Sequence, residues 1–76
     1  MVRAIGRVEH VKGKRMLIVQ IDAAKLPKLY STVVDKRWKP IGTLVEIFGN
    51  ISRPYAAVIC TIPDSTVLVG EKVFIK

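Results

Sequence analysis

The chain has 76 residues, half of them hydrophobic, with a single cysteine and a formal net charge of +7; this length holds one domain, and one cysteine excludes an intramolecular disulfide. No apolar run approaches the roughly 20 residues of a membrane-spanning helix, and no signal peptide is visible, so a soluble intracellular protein is expected. Residues 1–39 carry ten basic and three acidic side chains whereas residues 40–76 carry three of each, so all the excess charge sits in the first half, a field that steers toward nucleic acid or acidic surfaces.

In chain order, residues 2–8 mix apolar and basic residues as a strand does, with Gly6 marking a bend or a close backbone approach. Val11-Lys12-Gly13-Lys14 reads as a turn, and Met16–Ile21 is a nearly continuous apolar run, the mark of a buried strand. The two strands predict a hairpin. Asp22–Leu29 reads as a loop with at most one helical turn, Asp22 as its N-cap and Pro27 as its stop. Tyr30–Val34 is a short β-branched strand, and residues 35–40 form a charged turn closed by Pro40, a residue that central strands exclude.

Ile41–Phe48 gives the clearest strand pattern. Strict alternation puts Ile41, Thr43, Val45 and Ile47 on one face and Gly42, Leu44, Glu46 and Phe48 on the other, which predicts a central strand. Gly49-Asn50 signals a turn, Tyr55–Cys60 returns as a strand, and residues 63–66 turn again. Val67–Val69 and Glu71–Ile75 read as two short strands around Gly70. Many short strands, Gly and Pro turns and no long amphipathic helix predict an all-β fold. About six strands at this size close on themselves to remove exposed edges, which gives a small closed antiparallel β-barrel spanning residues 1–76.

The ordered set Val34-Asp35-Lys36-Arg37, Ile41-Gly42, Val45-Glu46-Ile47-Phe48-Gly49, Pro54-Tyr55 and Val69-Gly70-Glu71-Lys72-Val73-Phe74 resembles the glycine-arginine-rich (GAR) subunit of H/ACA ribonucleoproteins, over about residues 3–75. Asn50 stands where that family usually has proline, and Ile59-Cys60 stand where its strand often ends in lysine. The Gly/Arg repeats are absent, as in the compact archaeal form. The resemblance implies a six-stranded barrel that docks on the pseudouridine synthase catalytic subunit, performs no chemistry itself, and helps load and release substrate RNA in the pseudouridylation of rRNA. It implies a cytoplasmic location in an archaeon and a nucleolar one in a eukaryote. No membrane, small-molecule ligand or cofactor is expected, and RNA contact is expected to be indirect or weak.

The candidate partner interface is Phe48, Gly49, Asn50, Ile51, Arg53, Pro54 and Tyr55. Gly49 permits a backbone geometry that a side chain would block, Pro54 stiffens the exit, and Ile51 places an apolar side chain at a loop tip. Arg53 and Tyr55 are of types enriched in interface hot spots; the plain alternative is an ordinary hairpin with Tyr55 in the core. Candidate RNA-facing cations are Lys12, Lys14, Arg15, Lys36 and Arg37; those of the first hairpin, with Arg3 and Arg7, serve equally well as a solvated edge that resists aggregation, and Lys36 and Arg37 are expected to stay exposed. Trp38 sits among four charges. It suits either a base-stacking role or a cover for one barrel end, and the high average burial of tryptophan favours the cover. His10 and Cys60 have no neighbours that would make a metal site or a nucleophilic pair, and the carboxylates are scattered, so no catalytic set is expected. The competing reading is a stand-alone RNA-binding barrel of translation-factor or oligonucleotide-binding type, which requires exposed aromatics on one basic face.

Overall fold

Branched and aromatic side chains at alternating positions drive most of this chain into strands. The computed structural model describes residues 3–13, 15–24, 26–62 and 65–76. Its strands are β1 (Arg3–Lys12), β2 (Met16–Ile21), β3 (Thr32–Val34), β4 (Pro40–Gly49), β5 (Pro54–Cys60) and β6 (Lys72–Ile75), with a 3-10 helix at Ser65–Leu68. They close into an antiparallel barrel in the order β1-β2-β5-β4-β3-β6. The expected all-β barrel is therefore the observed one. No helix among the described residues is long and apolar enough to cross a membrane.

Antiparallel order around the ring assigns every connection to an end. The β1–β2 turn, the β3–β4 turn and the β5–β6 connection share one end, while the β2–β3 loop and the β4–β5 turn share the other. The interior is filled by Val8, Leu17, Val19, Val33, Ile41, Leu44, Ala56, Val58, Cys60 and Val73, with Leu68 of the 3-10 helix joining the same cluster. Each such branched side chain contributes about 1.5–3 kcal/mol by leaving water. Cys60 is a free, buried thiol within this core, where it acts as a small hydrophobe.

Gly6 makes the close approach its position suggests. A Cβ built there would lie 1.8 Å from the backbone oxygen of Gln20 on β2. Register shifts on both sides of β1, between Ala4 and Gly6 toward β6 and between Val8 and His10 toward β2, bend the strand around the barrel.

Several local expectations are corrected. β1 runs on to Lys12, so the turn lies beyond it, at Gly13, with Lys14 outside the described residues. β3 begins at Thr32 rather than Tyr30, because Tyr30 takes a left-handed φ of 67° while its N–H reaches the Leu44 carbonyl at 2.6 Å. Asp22 caps no helix; its Oδ1 accepts the Ala24 N–H in a local turn. Pro40 opens β4, a first position that needs no ladder donor. Strict alternation fails in β4 because of two register shifts, one opposite β3 and one opposite β5 between Leu44 and Glu46. Each bulge adds a residue, so Ile41 and Leu44 are both core residues and Ile47 packs against them. Val67–Val69 is not a strand: Val67 and Leu68 end the 3-10 helix and Val69 turns, which lets Leu68 enter the core. The turn expected at residues 63–66 falls partly outside the described residues, at Pro63 and Asp64.

Candidate docking face and basic end

The outer face of the β1-β2-β5-β4 sheet carries a cleft of about 410 Å³. Its floor follows from register. His10 pairs with Ile18, Ile18 with Ala57, and Ala57 with Glu46, one straight row across four strands. Ile18 and Ala57 are only 5% and 3% exposed although they lie outside the interior cluster. Phe48 and Tyr55 line the cleft on one side of that row, and Met16 and Lys12 line it on the other. The result is an apolar floor with ionisable groups, Glu9, His10, Lys12 and Glu46, on its rim.

The hairpin after β4 extends this face. Phe48 and Tyr55 pair across the ladder, their rings stacked with centroids 5.9 Å apart. Tyr55 is half-buried against Phe48 on the outside, so it is not a core residue. Gly49 adopts φ 97°, and a Cβ there would crowd the Arg53 oxygen at 3.0 Å and Tyr55 Cδ2 at 3.1 Å. Asn50 Oδ1 accepts the Arg53 N–H at 2.7 Å, the Ser52 N–H at 3.0 Å and the Ser52 hydroxyl at 2.9 Å. That triple acceptance holds the tip without the proline common in the resembling family. Ile51 is left 94% exposed at the tip. Arg53 is exposed, whereas Pro54 is buried.

The structure thus brings Phe48, Ile51, Arg53 and Tyr55 to one place and adds residues that sequence reasoning passed over: His10, Met16, Ile18, Glu46 and Ala57. A signal for them existed. Met16 and Ile18, like Tyr55, Ala57 and Ile59, are apolar side chains on the outward face of their strands, and a barrel of this size has no second layer to cover them.

Of the candidate cations, Lys12, Arg15, Lys36 and Arg37 are exposed and belong to turns or strand ends on the end opposite the Gly49–Arg53 turn; Lys14 lies outside the described residues. Lys36 reaches Glu71 Oε2 at 3.7 Å, a solvent-exposed pair. Trp38 does not cover the barrel end as tryptophan's average burial suggested. It is 53% exposed and meets Phe74 edge-to-face at 5.1 Å. From the β5–β6 connection Leu68 of the 3-10 helix enters the core and Ile62 packs against it. Trp38 and Tyr55 therefore do not share one basic face. Among the described residues, no three His, Cys, Asp or Glu side chains converge as a metal site would require.

A small closed antiparallel barrel with an exterior apolar cleft at one hairpin and cations gathered at the other end is an interaction module. The family model described as Gar1/Naf1 RNA binding region matches residues 2–76, and the chain belongs to this family. It is an RNA-binding accessory domain family, and the resemblance carried by Val34–Phe74 is borne out. The chain is also similar to a solved structure described as the Gar1 domain of Naf1, with 25% identity, a TM-score of 0.76, and coverage of 99% of this chain and 85% of that one. No curated protein matches the chain significantly.

Proposed function

We propose that this chain is a non-catalytic subunit of an H/ACA guide-RNA ribonucleoprotein, which docks on the pseudouridine synthase catalytic subunit and assists substrate RNA loading and release during pseudouridylation of rRNA. The observation that carries the reading is the apolar face formed by Ile51, the stacked Phe48–Tyr55 pair and the Ile18–Ala57 floor. An exposed isoleucine at a rigid tip beside a preformed apolar cleft has more to gain from a protein partner than from a phosphate backbone. Preorganisation by Asn50 and Gly49 lowers the ordering cost of docking.

The test is a salt-series titration of the chain against a pseudouridine synthase catalytic subunit and, separately, against single-stranded RNA. Apolar docking survives about 0.5 M salt, whereas contact with phosphates weakens steeply as screening rises. Synthase binding that persists at high salt and falls on mutation of Ile51 and Tyr55 supports the proposal. Tight RNA binding with no affinity for the synthase would replace it with a stand-alone RNA-binding barrel.

A further inference from the structure

We infer that Trp38 and the turn that carries it form a stacking site for one base of a single-stranded RNA, with Lys36, Arg37 and Lys39 taking the flanking phosphates. The site lies at the opposite end of the barrel from the Gly49–Arg53 turn and does not depend on the docking reading.

The first observation is how Trp38 is held. Its φ is 64°, a left-handed conformation unfavourable for a bulky residue. The turn offsets that cost through Asp35. Asp35 Oδ1 accepts the Arg37 N–H at 2.8 Å and the Lys39 N–H at 3.0 Å. The Asp35 carbonyl accepts the Trp38 N–H at 2.9 Å, and the Asp35 N–H reaches the Lys39 carbonyl at 3.0 Å. Four hydrogen bonds thus fix a strained residue whose side chain stays in solvent. Strain over-determined in this way accumulates where a chain presents a group to a ligand.

The second observation is the ring itself. One neighbouring ring, Phe74, meets the indole with 72° between the planes. Among the described residues no second aromatic ring meets the indole, and 53% of the residue is exposed. Aromatic faces of this kind take bases of any identity.

The third observation is what surrounds it. Lys36, Arg37 and Lys39 are all exposed on the same turn. Lysine is depleted at the centres of protein interfaces, whereas cations beside an aromatic suit a single strand. Asp35 is the acid of the turn, and its Oδ1 is engaged with the backbone. Glu71 pairs with Lys36 from the neighbouring connection. A cleft of about 280 Å³ lies beside the turn, lined by Asp35, Lys36, Arg37, Val67, Leu68 and Glu71, with two of the turn's cations on its wall.

Trp38 is the chain's only tryptophan, so its fluorescence reports this site alone. The experiment titrates the full chain with a short single-stranded oligouridylate and with a blunt duplex RNA of the same length. The single strand is expected to quench Trp38 saturably, with three phosphate contacts giving a log–log salt slope of about −2. Read by the anisotropy of a dye-labelled strand, since neither variant keeps the tryptophan signal, W38A should lose about tenfold in affinity, and W38F, which keeps a ring against Phe74, should lose about threefold or less. K36Q or R37Q should weaken binding and flatten the slope by about 0.7 each. E71Q frees Lys36 and should raise affinity about twofold, a gain that misfolding cannot mimic. Unchanged affinity in W38A, with circular dichroism showing an intact barrel, would overturn the proposal. So would equal quenching by the duplex, or a Trp38 signal that answers to neither RNA. No synthase is present in the RNA titrations, so failure here leaves the docking reading untouched.

Discussion

Phe48 and Tyr55 stand opposite each other where β4 hands over to β5, their ring planes 26° apart. The pair joins two features that the backbone keeps separate, the cleft on the sheet and the hairpin tip that carries Ile51. Tyr55→Ala removes a stack worth about 0.5–1.5 kcal/mol of stability and should lower synthase affinity about tenfold or more. Ile51→Asp is the cleaner variant. Ile51 is almost fully exposed, so unfolding free energy should stay within about 0.5 kcal/mol of the parent, while synthase binding falls about tenfold. Urea unfolding and isothermal titration on the same sample check both, and wild-type affinity in Ile51→Asp would remove the tip from the interface.

The cleft floor gives a second, independent test. Ile18 lies outside the core cluster yet is nearly excluded from solvent by its neighbours. Ile18→Thr keeps the β-branch that suits a strand and exchanges methyl surface for a hydroxyl. Stability should drop by about 1 kcal/mol, and synthase binding should drop by at least fivefold. A near-isosteric variant on the inner face, Val19→Thr, loses one carbon fewer and should still cost more stability, because its hydroxyl enters the dry interior. Comparison of the two variants by thermal unfolding and by titration separates a docking floor from a second core.

Much of this arrangement was legible in the sequence, and the parts that were not have physical causes. Short β-branched runs between Gly and Pro turns gave the barrel, and the Gly49–Tyr55 segment announced itself through an apolar tip. Alternation misread β4 because a bulge changes the face of every residue beyond it, and nothing local to Val45 marks one. Val67–Val69 has strand composition, yet the core needed Leu68 at an open barrel end, and packing outweighed propensity. Trp38 was misplaced by an average: Asp35 turns the backbone so that the indole leaves the barrel, a choice made by two side-chain hydrogen bonds that composition does not reveal. The cleft was hidden for a different reason. Its floor residues come from β2 and β5, distant in sequence, and only the register places Ile18 beside Ala57.

Asp35 makes the third prediction. Asp35→Ala leaves the Arg37 and Lys39 N–H groups without their acceptor, and these groups face water, so the cost is about 1 kcal/mol rather than that of a buried donor. The larger effect is on order. With the turn loosened, Trp38 should leave its left-handed geometry, and its fluorescence anisotropy should fall. Asp35→Asn keeps an acceptor in the same place and should retain most of the anisotropy. Equal anisotropy in wild type and Asp35→Ala would show that the contact with Phe74, not the turn, holds the indole.

Gly6 makes the last. Its backbone passes so close to β2 that a methyl group would sit 1.8 Å from the Gln20 oxygen, far inside any van der Waals contact. The obstacle is a main-chain carbonyl, which cannot rotate away as a side chain does. Gly6→Ala must therefore push β1 off β2 where Gly6 pairs with Ile21 and Arg7 with Gln20. Separation at that point also disturbs the pairing of β1 with β6 on its other side. A domain of this length has a total stability of about 4–11 kcal/mol, and forced displacement of a packed strand costs about 3 kcal/mol or more. Urea unfolding should show a midpoint lowered by a large fraction of its original value, with binding at both ends of the barrel lost together. Gly13→Ala is the control: among the described residues beyond its chain neighbours no atom lies within 4 Å of a Cβ there, and its φ of 68° opposes the change, so the loss should be about 1 kcal/mol. A Gly6→Ala protein as stable as its Gly13→Ala counterpart would mean that β1 can shift outward freely, and the barrel closure described here would not hold.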